Sequence, residues 1–538
     1  MKHCKTGTTK KRIKKLLPVL FSFFGYLLIP VIGYSATLKI YNPGSIYVDY
    51  INDGIGLGLG FGHPSNWHSE LFSVYTGAML NWTNCNFTLM MEIQLALYSL
   101  VIAYFATTIM LSLRRQIQSK KIRWLVYFLP TIPTLIVCVL PPLVCTAETF
   151  NADIFAGIFY LIFTCQVFKI IDTRGTYFLK PFSLVLMAIN SAILISLRTQ
   201  MVAVIVGVFI ISLIAYKRYS FQQTISVLMC VTLLGGWNIY MNFIGVTNPS
   251  QREMLSQPLQ EVGAVYKNKG NINDDQAEFF GKFGSSDWWS EKYNPVNADP
   301  LRGINQKMPD DANASQFVGQ TLVLCSQNIN ICSQAFYEQS KVWFNPNGGP
   351  EVNFDYYRAN PKDYAQWIKN SILKREYNSH VSKKNIMKIN SALQYPFNRT
   401  SIIEQEQRIN YEKFWAPSLG IIGNFALPFI LLLITLIILL VTFRYRSLLL
   451  LLVPFIFWLT LIFFGTVNFL YRLIFPMAMV MPFVVLGCFV LERKNRSHKV
   501  NSRFLVVRNF VRKIFSKNHI TVRDAVNAEI KKNRIKNI

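Results

Sequence analysis

Ten apolar stretches, each long enough to cross a bilayer, constrain what this chain can fold into. Backbone groups in lipid must satisfy each other within a helix, and crossing the hydrocarbon core takes roughly 20 apolar residues. The stretch 426–442, ALPFILLLITLIILLVT, is typical. We therefore predict an all-α polytopic membrane protein of about ten transmembrane helices. The predicted spans are 16–36, 89–112, 124–145, 153–171, 180–197, 200–216, 222–245, 418–442, 447–467 and 473–491.

Basic residues mark one side of this predicted bundle. Lys and Arg near span ends are typical of cytoplasmic loops. They cluster before the first span and after the second, fourth, sixth, eighth and tenth, so both termini are predicted to be cytoplasmic. The first span is long, and no clear small-residue cleavage site follows it, which favours a retained helix over a signal peptide.

The formal net charge of +27 comes mostly from these cytoplasmic segments. A high positive charge often indicates a nucleic-acid partner. Here the charge lies in the predicted cytoplasmic segments beside the spans, which argues against such a partner. Within the basic tail, apolar residues of 504–515 recur at helical spacing and would form a stripe along one face of a helix. Such a helix is expected to lie on anionic lipids of the inner leaflet.

The spans divide the chain into five parts. Residues 1–15 form a basic cytoplasmic N-terminus and 492–538 a basic amphipathic cytoplasmic tail. Residues 16–246 hold about seven spans and include an outer loop, 37–88. Residues 417–491 hold about three more. Between them, 247–416 lacks any span and is long enough to be an extracytoplasmic domain, expected to be rich in helix and loop with little sheet.

Two cysteines of this outer domain, Cys325 and Cys332, are candidates for a disulfide. An oxidising compartment permits the bond, although spacing alone does not prove pairing. The other cysteines of the chain sit mostly in or beside spans, where small buried apolar residues are expected.

Two arginines break the positive-inside pattern, because Arg198 and Arg472 both lie at predicted outer ends of spans. An ionised group near lipid is costly, so such residues are often functional. Arg is also well suited to binding phosphate. The alternative is that each side chain extends to the outer headgroups.

The first outer loop carries acids and histidines close to the membrane surface. Asp49 with a nearby His63 suits general-base chemistry or a metal site. Asp53 is an alternative acid, although Asp53-Gly54 also fits a simple turn. No Walker loop, Rossmann glycine pattern or zinc spacing is present. A divalent metal at His63 is therefore the one cofactor that the sequence suggests.

These features resemble the GT-C superfamily, the multi-pass glycosyltransferases that use lipid-phosphate sugars. Asp49 resembles the essential acid of their first outer loop, and His63-Pro64-Ser65 resembles the His-Pro-Pro motif of the protein mannosyltransferase and lipid A aminoarabinose transferase branches. The second proline is absent, and Gly62 replaces the acid before the histidine. Leu197-Arg198-Thr199-Gln200 and Tyr471-Arg472 with Pro476 are similar to motifs of bacterial relatives. Segments 255–262 and 293–300 look like the outer domain of uncharacterised bacterial envelope members.

The resemblance implies that a sugar passes from a polyprenyl-phosphate donor to a glycan, lipid or protein acceptor at the outer face, with inversion. Asp49 would then be the base, and Arg198 and Arg472, with Tyr471 and His63, would bind the lipid phosphate. The outer domain would choose the acceptor. Its candidate sugar-stacking residues, which also fit a packed aromatic core, are Trp288, Trp289 and Tyr293.

Two other readings stay open. An O-antigen or capsule polymerase or ligase also has many spans, a large outer loop and outer arginines. A lipid or sugar flippase is the non-enzyme alternative, with Glu92 and Gln94 as polar residues at the head of the second span. A bacterial inner membrane is the favoured location. Sequons at Asn81, Asn86, Asn313 and Asn398 leave the endoplasmic reticulum open.

Overall fold

The fold is a helical membrane bundle that carries a smaller helical domain at one end. The computed structural model describes residues 6–41, 69–83, 87–117, 119–147, 150–244, 246, 255–302, 308–309, 312–347, 419–442, 445–463 and 471–491. Six helices in this part of the chain are long and apolar enough to cross a membrane. The chain is thus an integral membrane protein built from α-helices.

The helices of the bundle, in chain order, are α1 Thr6–Tyr41, α2 Glu70–Trp82, α3 Phe87–Gln116, α4 Leu125–Phe128, α5 Thr131–Val139, α6 Pro141–Ala147, α7 Ala152–Asp172, α8 Pro181–Leu197, α9 Met201–Ala215 and α10 Ser220–Phe243. The outer domain contributes α11 Ser256–Lys267, α12 Asp274–Gly281, α13 Ser286–Lys292, α14 Asp299–Arg302, α15 Ala314–Gln327 and α16 Ile329–Ser340. The chain then returns to the bundle with α17 Leu419–Ile422, α18 Leu427–Val441, α19 Leu448–Phe463 and α20 Tyr471–Leu491.

Each of the ten predicted spans falls on helical structure, but four of the apolar segments are shorter than the rest. Prolines explain one break. Span 124–145 becomes α4, α5 and α6, since Pro130 precedes α5 and Pro141 opens α6; proline removes a backbone donor and is tolerated best at a helix start. Span 418–442 is interrupted before α18, where the Asn424 carboxamide accepts a hydrogen bond from the Ala426 amide.

Helix α7 is the centre of the bundle. It is apolar on all sides and most of its side chains are buried, as expected for a helix surrounded by others. It packs against α3, α8, α19 and α20. The close approach to α3 and α20 depends on Gly157, where an added Cβ would lie 2.5 Å from the Tyr98 hydroxyl and 3.2 Å from the Phe475 ring.

The basic loops gather at one end of the bundle. Asp172, at the end of α7, forms an ion pair with Arg115 at the end of α3 and accepts a hydrogen bond from Ser112. The turn before α19 joins the same end, because Ser447 donates to the Cys488 carbonyl near the end of α20. The described ends of α3, α7 and α20 and the turn before α19 therefore share one end, and Arg198 and Arg472 lie at the other.

The outer domain has its own apolar core around α11. Phe280, Phe317 and Leu324 pack there with the fully buried Trp289. Asn273 and Asn313 start α12 and α15 through capping boxes. The structure contains the Cys325–Cys332 disulfide, with Cα atoms 5.6 Å apart, which links α15 to α16. The helical character expected for this domain is confirmed for 255–347 as far as it is described.

Aromatic side chains form the contact between this domain and the bundle. The Trp458 indole donates to the Trp343 carbonyl at 3.0 Å. Trp343 in turn packs edge-on against Phe425, which packs against Tyr471. Asn424 donates to the Pro346 carbonyl at 2.6 Å. The domain therefore contacts α19 and the segment before α18, and Phe425 of that segment in turn packs on Tyr471 of α20.

Gly157→Ala is expected to destabilise the protein by about 1–3 kcal/mol, because the added methyl group must displace buried side chains that have little room to move. The thermal midpoint of the protein in detergent measures the loss. Gly236→Ala is the matched control, since a Cβ there meets nothing within 4 Å. An equal shift in both variants would show that α7 does not depend on this close approach.

Candidate anion site at the outer end of the bundle

Two arginines from different helices meet at one carboxylate at the end of the bundle opposite Asp172 and Arg115, which the sequence predicts to be the outer end. Asp153 lies in the first turn of α7. Its Oδ1 is 3.7 Å from Arg198 Nε, and its Oδ2 is 3.7 Å from Arg472 Nε. The side chains are 16 % exposed for Asp153, 5 % for Arg198 and 21 % for Arg472. We call these three residues the arginine–aspartate cluster.

Arg198 is held in place from several directions. It ends α8, and its Nε donates to the Gln200 side chain at 3.1 Å. Its Nη1 donates to the Leu473 carbonyl in the first turn of α20, also at 3.1 Å. The guanidinium lies over the Phe457 ring, 5.1 Å from the centroid. These contacts fix a charge that would otherwise sample many rotamers, so the group is preorganised for an anion.

Arg472 reaches the cluster from the start of α20. The preceding residue, Tyr471, is buried and its ring packs against Phe425, with centroids 5.5 Å apart. The Tyr471 ring therefore packs on the segment before α18, whereas Arg472 extends to Asp153.

The length of α8 places the cluster near the level of lipid headgroups. Its 17 residues rise about 26 Å, slightly less than the roughly 30 Å hydrocarbon core. Lys180, at the basic end, precedes α8, and Arg198 follows it directly. Arg198 is thus expected at the outer boundary of the hydrocarbon, where the phosphates of outer-leaflet lipids begin.

Several helices begin at this end of the bundle. Asn151 caps α7, and its side-chain oxygen accepts from the Asp153 amide at 2.8 Å. Ser69 caps α2 and donates to the Ser196 carbonyl, two residues before Arg198. The first turns of α9 and α20 flank the arginines. Helix N-termini carry partial positive charge and free amides, which favours anions.

A second acid, Glu70, lies at the start of α2. Its carboxylate accepts a hydrogen bond from the Trp237 indole at 3.2 Å, which ties α2 to α10. Burial raises the pKa of the Glu70 carboxyl above its ordinary value, and the Trp237 hydrogen bond opposes part of that rise. Phe72 and Tyr75, on the same helix, pack against Phe155 of α7.

The arrangement presents donors of the type that binds anionic groups in proteins. Two guanidiniums and one carboxylate leave a formal charge of +1, and Arg presents a planar fork of donors to phosphate oxygens. In the described part of the chain, no group of three or more His, Cys, Asp and Glu side chains is placed to hold a metal.

The structure brings Arg198 and Arg472 together, as the hypothesis of a shared phosphate site requires. Sequence reasoning missed Asp153. The available signal was its position, since it is an acid at the outer start of a predicted span, level with both arginines. Asp49, Asp53 and His63 lie outside the described residues, so their roles stay predictions.

The aromatic candidates of the outer domain differ from one another. Trp289 is fully buried and its indole donates to the Phe280 carbonyl, so it forms part of the core and offers no face to a sugar ring. Trp288 and Tyr293 are partly buried and pack on the same core. Gln94, named in the flippase reading, is buried and donates to the Ala147 carbonyl, which gives it a structural role.

The cluster is expected to behave as one energetic unit. Asp153→Asn and Arg472→Gln should be non-additive in a double-mutant cycle, with a coupling of roughly 0.5–3 kcal/mol, because the two groups interact directly. Unfolding free energies in detergent provide the measurement. The control cycle pairs Arg472→Gln with Asp172→Asn, at the far end of α7, and the two changes in unfolding free energy should add. A coupling of similar size in this control would contradict a direct interaction between Asp153 and Arg472.

Glu70 is expected to make stability depend on pH. A carboxyl whose pKa is raised by folding holds its proton more tightly in the folded state. Stability from this group is therefore greatest at low pH and declines as pH rises from about 4, the ordinary glutamate value, through the folded pKa. Glu70→Gln keeps an oxygen for Trp237 and should remove this decline. Thermal midpoints between pH 4 and pH 7, compared with exposed Glu92→Gln as control, test it.

Comparison with known proteins identifies the family to which the chain belongs. No curated protein and no solved structure matches the chain. A family model described as "Family of unknown function (DUF6020)" matches residues 65–502. The matched range includes Asp153, Arg198 and Arg472, and it begins after Asp49, Asp53 and His63. Because the match covers most of its length, the chain belongs to this family of unknown function, DUF6020.

Proposed function

We propose that this protein transfers a sugar from a polyprenyl-phosphate-linked donor to an envelope polysaccharide, lipid or protein at the outer face of a bacterial inner membrane. One observation carries the proposal: the buried guanidinium of Arg198 and the partly buried guanidinium of Arg472 meet at the end of the bundle predicted to face outward. A lipid-linked phosphate is among the anions present at that depth, together with the phosphates of the surrounding lipids. The resemblance to the GT-C superfamily and the ten predicted spans support the same reading.

The reaction needs three groups. A base, for which Asp49 is the candidate, takes the proton of an acceptor hydroxyl. The acceptor oxygen bonds to the anomeric carbon while the bond from that carbon to the donor phosphate oxygen breaks. The electron pair stays on the phosphate oxygen. Arg198 and Arg472 stabilise the negative charge that grows there, and their fixed positions avoid reorganisation during the step.

A polymerase or ligase is the second candidate, since the same arginines would also suit a lipid-diphosphate donor. The two reactions use Asp49 differently. A GT-C-like transferase requires the acid, whereas in a polymerase it should be dispensable. Loss of the polymerase would also shorten surface glycans to single repeats instead of removing one sugar.

The test is a deletion strain complemented with variants, read out by mass analysis of surface polysaccharide and lipid A. Deletion should remove a defined sugar mass, and wild type should restore it. Arg198→Gln and Arg472→Gln should each lower the modified fraction by about a hundredfold or more, the usual loss when a transition-state donor is removed. Asp49→Asn should also fail to restore it.

Arg446→Gln is the control, because Arg446 lies at the basic end of the bundle and is exposed. It should restore the sugar fully at equal protein level. Full restoration by the Arg198 and Arg472 variants would contradict a phosphate role for the cluster, and restoration by Asp49→Asn alone would favour the polymerase.

A further inference from the structure

We propose that one side of α11 in the outer domain, formed by Gln257, Gln260 and Glu261, binds hydroxyl groups of a glycan. We call these three residues the α11 polar face. This site deepens the proposed function and rests on it, because the glycan assigned to it is the one that receives the transferred sugar. It belongs to the outer domain and uses no residue of the arginine–aspartate cluster.

Helical spacing brings the three side chains to one side of α11. Residues three and four apart are neighbours on a helix, so the α11 polar face covers an arc of roughly 100°. Gln257 Nε2 donates to Glu261 Oε1 at 3.1 Å, and Gln260 Nε2 donates to the Asn294 carbonyl at 2.7 Å. Glu261 Oε2 lies 3.7 Å from Cys325 Sγ. The face therefore lies between the Cys325–Cys332 disulfide and the turn after α13.

The two amides use their donors and leave their carbonyl oxygens unpaired. Gln257 and Gln260 are 7 % and 1 % exposed. The Oε1 atoms of both are buried and accept no hydrogen bond within the described part of the chain. A buried oxygen without a partner is costly, and nearly all buried polar groups in proteins are paired. Two such oxygens on one side of one helix therefore indicate that a further group binds there.

Glu261 adds a carboxylate to the same face. Burial raises the pKa of the Glu261 carboxyl above its ordinary value, and the Gln257 hydrogen bond opposes part of that rise. Among the ion pairs of the described residues, none involves Glu261. Glu261 is partly exposed, unlike the two glutamines, so it forms the side of the face that a ligand reaches first.

A group that donates hydrogen bonds fits this face. The three side chains offer two amide oxygens and one carboxylate, and a sugar presents hydroxyl groups that donate to both kinds of oxygen. A calcium ion is less well matched, since it takes about six to eight oxygens and the face holds a single carboxylate. In the described residues, no group of three or more His, Cys, Asp and Glu side chains is placed to hold a metal.

Binding of glycan to the full-length chain in nanodiscs tests the site. The probe is the surface glycan of the deletion strain, cleaved to oligosaccharides and labelled with a fluorophore. Gln257→Met combined with Glu261→Met removes the oxygens together with their mutual hydrogen bond. The dissociation constant should rise about tenfold or more, as expected when hydrogen bonds to a neutral and a charged group are both lost.

Stability separates binding from structure. In the double variant, apolar groups of similar length replace both partners of the bond, so the thermal midpoint should stay the same or rise. A purely structural pair would instead lower the midpoint and leave glycan affinity unchanged. Glu261→Gln keeps an oxygen for Gln257 and should weaken binding by about three- to tenfold. It provides a second test if the double variant does not fold.

Gln334→Met combined with Glu338→Met is the matched control. Gln334 Nε2 donates to Glu338 Oε1 at 2.8 Å, so the same pair at the same spacing is removed from an exposed side of α16. This control should leave the dissociation constant for glycan unchanged.

The outcomes are distinct. Unchanged glycan affinity in both Glu261 variants, or no glycan binding by wild type, overturns the site, while the proposed function stands on the sugar lost in the deletion strain. Calcium binding that Glu261→Gln removes, without any glycan binding, would identify a cation site and also overturn the proposal. A deletion that removes no sugar overturns the proposed function, and the same assay still decides whether the α11 polar face binds glycan.

Discussion

The contact of one carboxylate with two guanidiniums organises the outer end of this protein. Asp153 comes from α7, Arg198 from the junction of α8 and α9, and Arg472 from α20, so a single cluster joins the helices that form the centre of the bundle. Buried charges are tolerated only when they are paired and hydrogen-bonded. Arg198 therefore restricts where α8 ends relative to α7, and Arg472 restricts where α20 begins.

Helix α7 carries an acid at each end, and the two ends have different surroundings. Asp172 meets Arg115, which is half exposed, beside the basic loops. Asp153 meets two arginines that are mostly buried. The first pair is close to solvent and screened, and it suits a structural role at the basic end of the bundle. The second retains its field within the bundle, which is the property that an anion site needs.

Much of the fold could be predicted from hydropathy, because lipid requires long apolar helices whatever their order in the bundle. The positions of α3, α7, α8, α9 and α20 follow the predicted spans closely. The breaks at Pro130 and Pro141 are also readable from sequence. The lateral packing of the helices cannot be predicted in this way, since hydropathy does not say which helices are neighbours.

The same limit explains which parts of the site were found. Arg198 and Arg472 stand out because a cation at an outer span end is unusual. Asp153 does not, because an acid after Asn151 at a helix start is an ordinary capping pattern. Only the contacts of α7 with its neighbours show that this acid meets both arginines. For Trp289 the sequence fits either a sugar-stacking face or a packed aromatic core, and its complete burial places it in the core.

The aromatic series Trp343, Phe425 and Tyr471 links the outer domain to the membrane part of the molecule. Tyr471 is followed directly by Arg472, and both belong to the first turn of one rigid helix. A single intervening ring, that of Phe425, therefore separates Trp343 from the helix turn that carries Arg472. The position of the indole and the position of that guanidinium are in this way set within one continuous packed series.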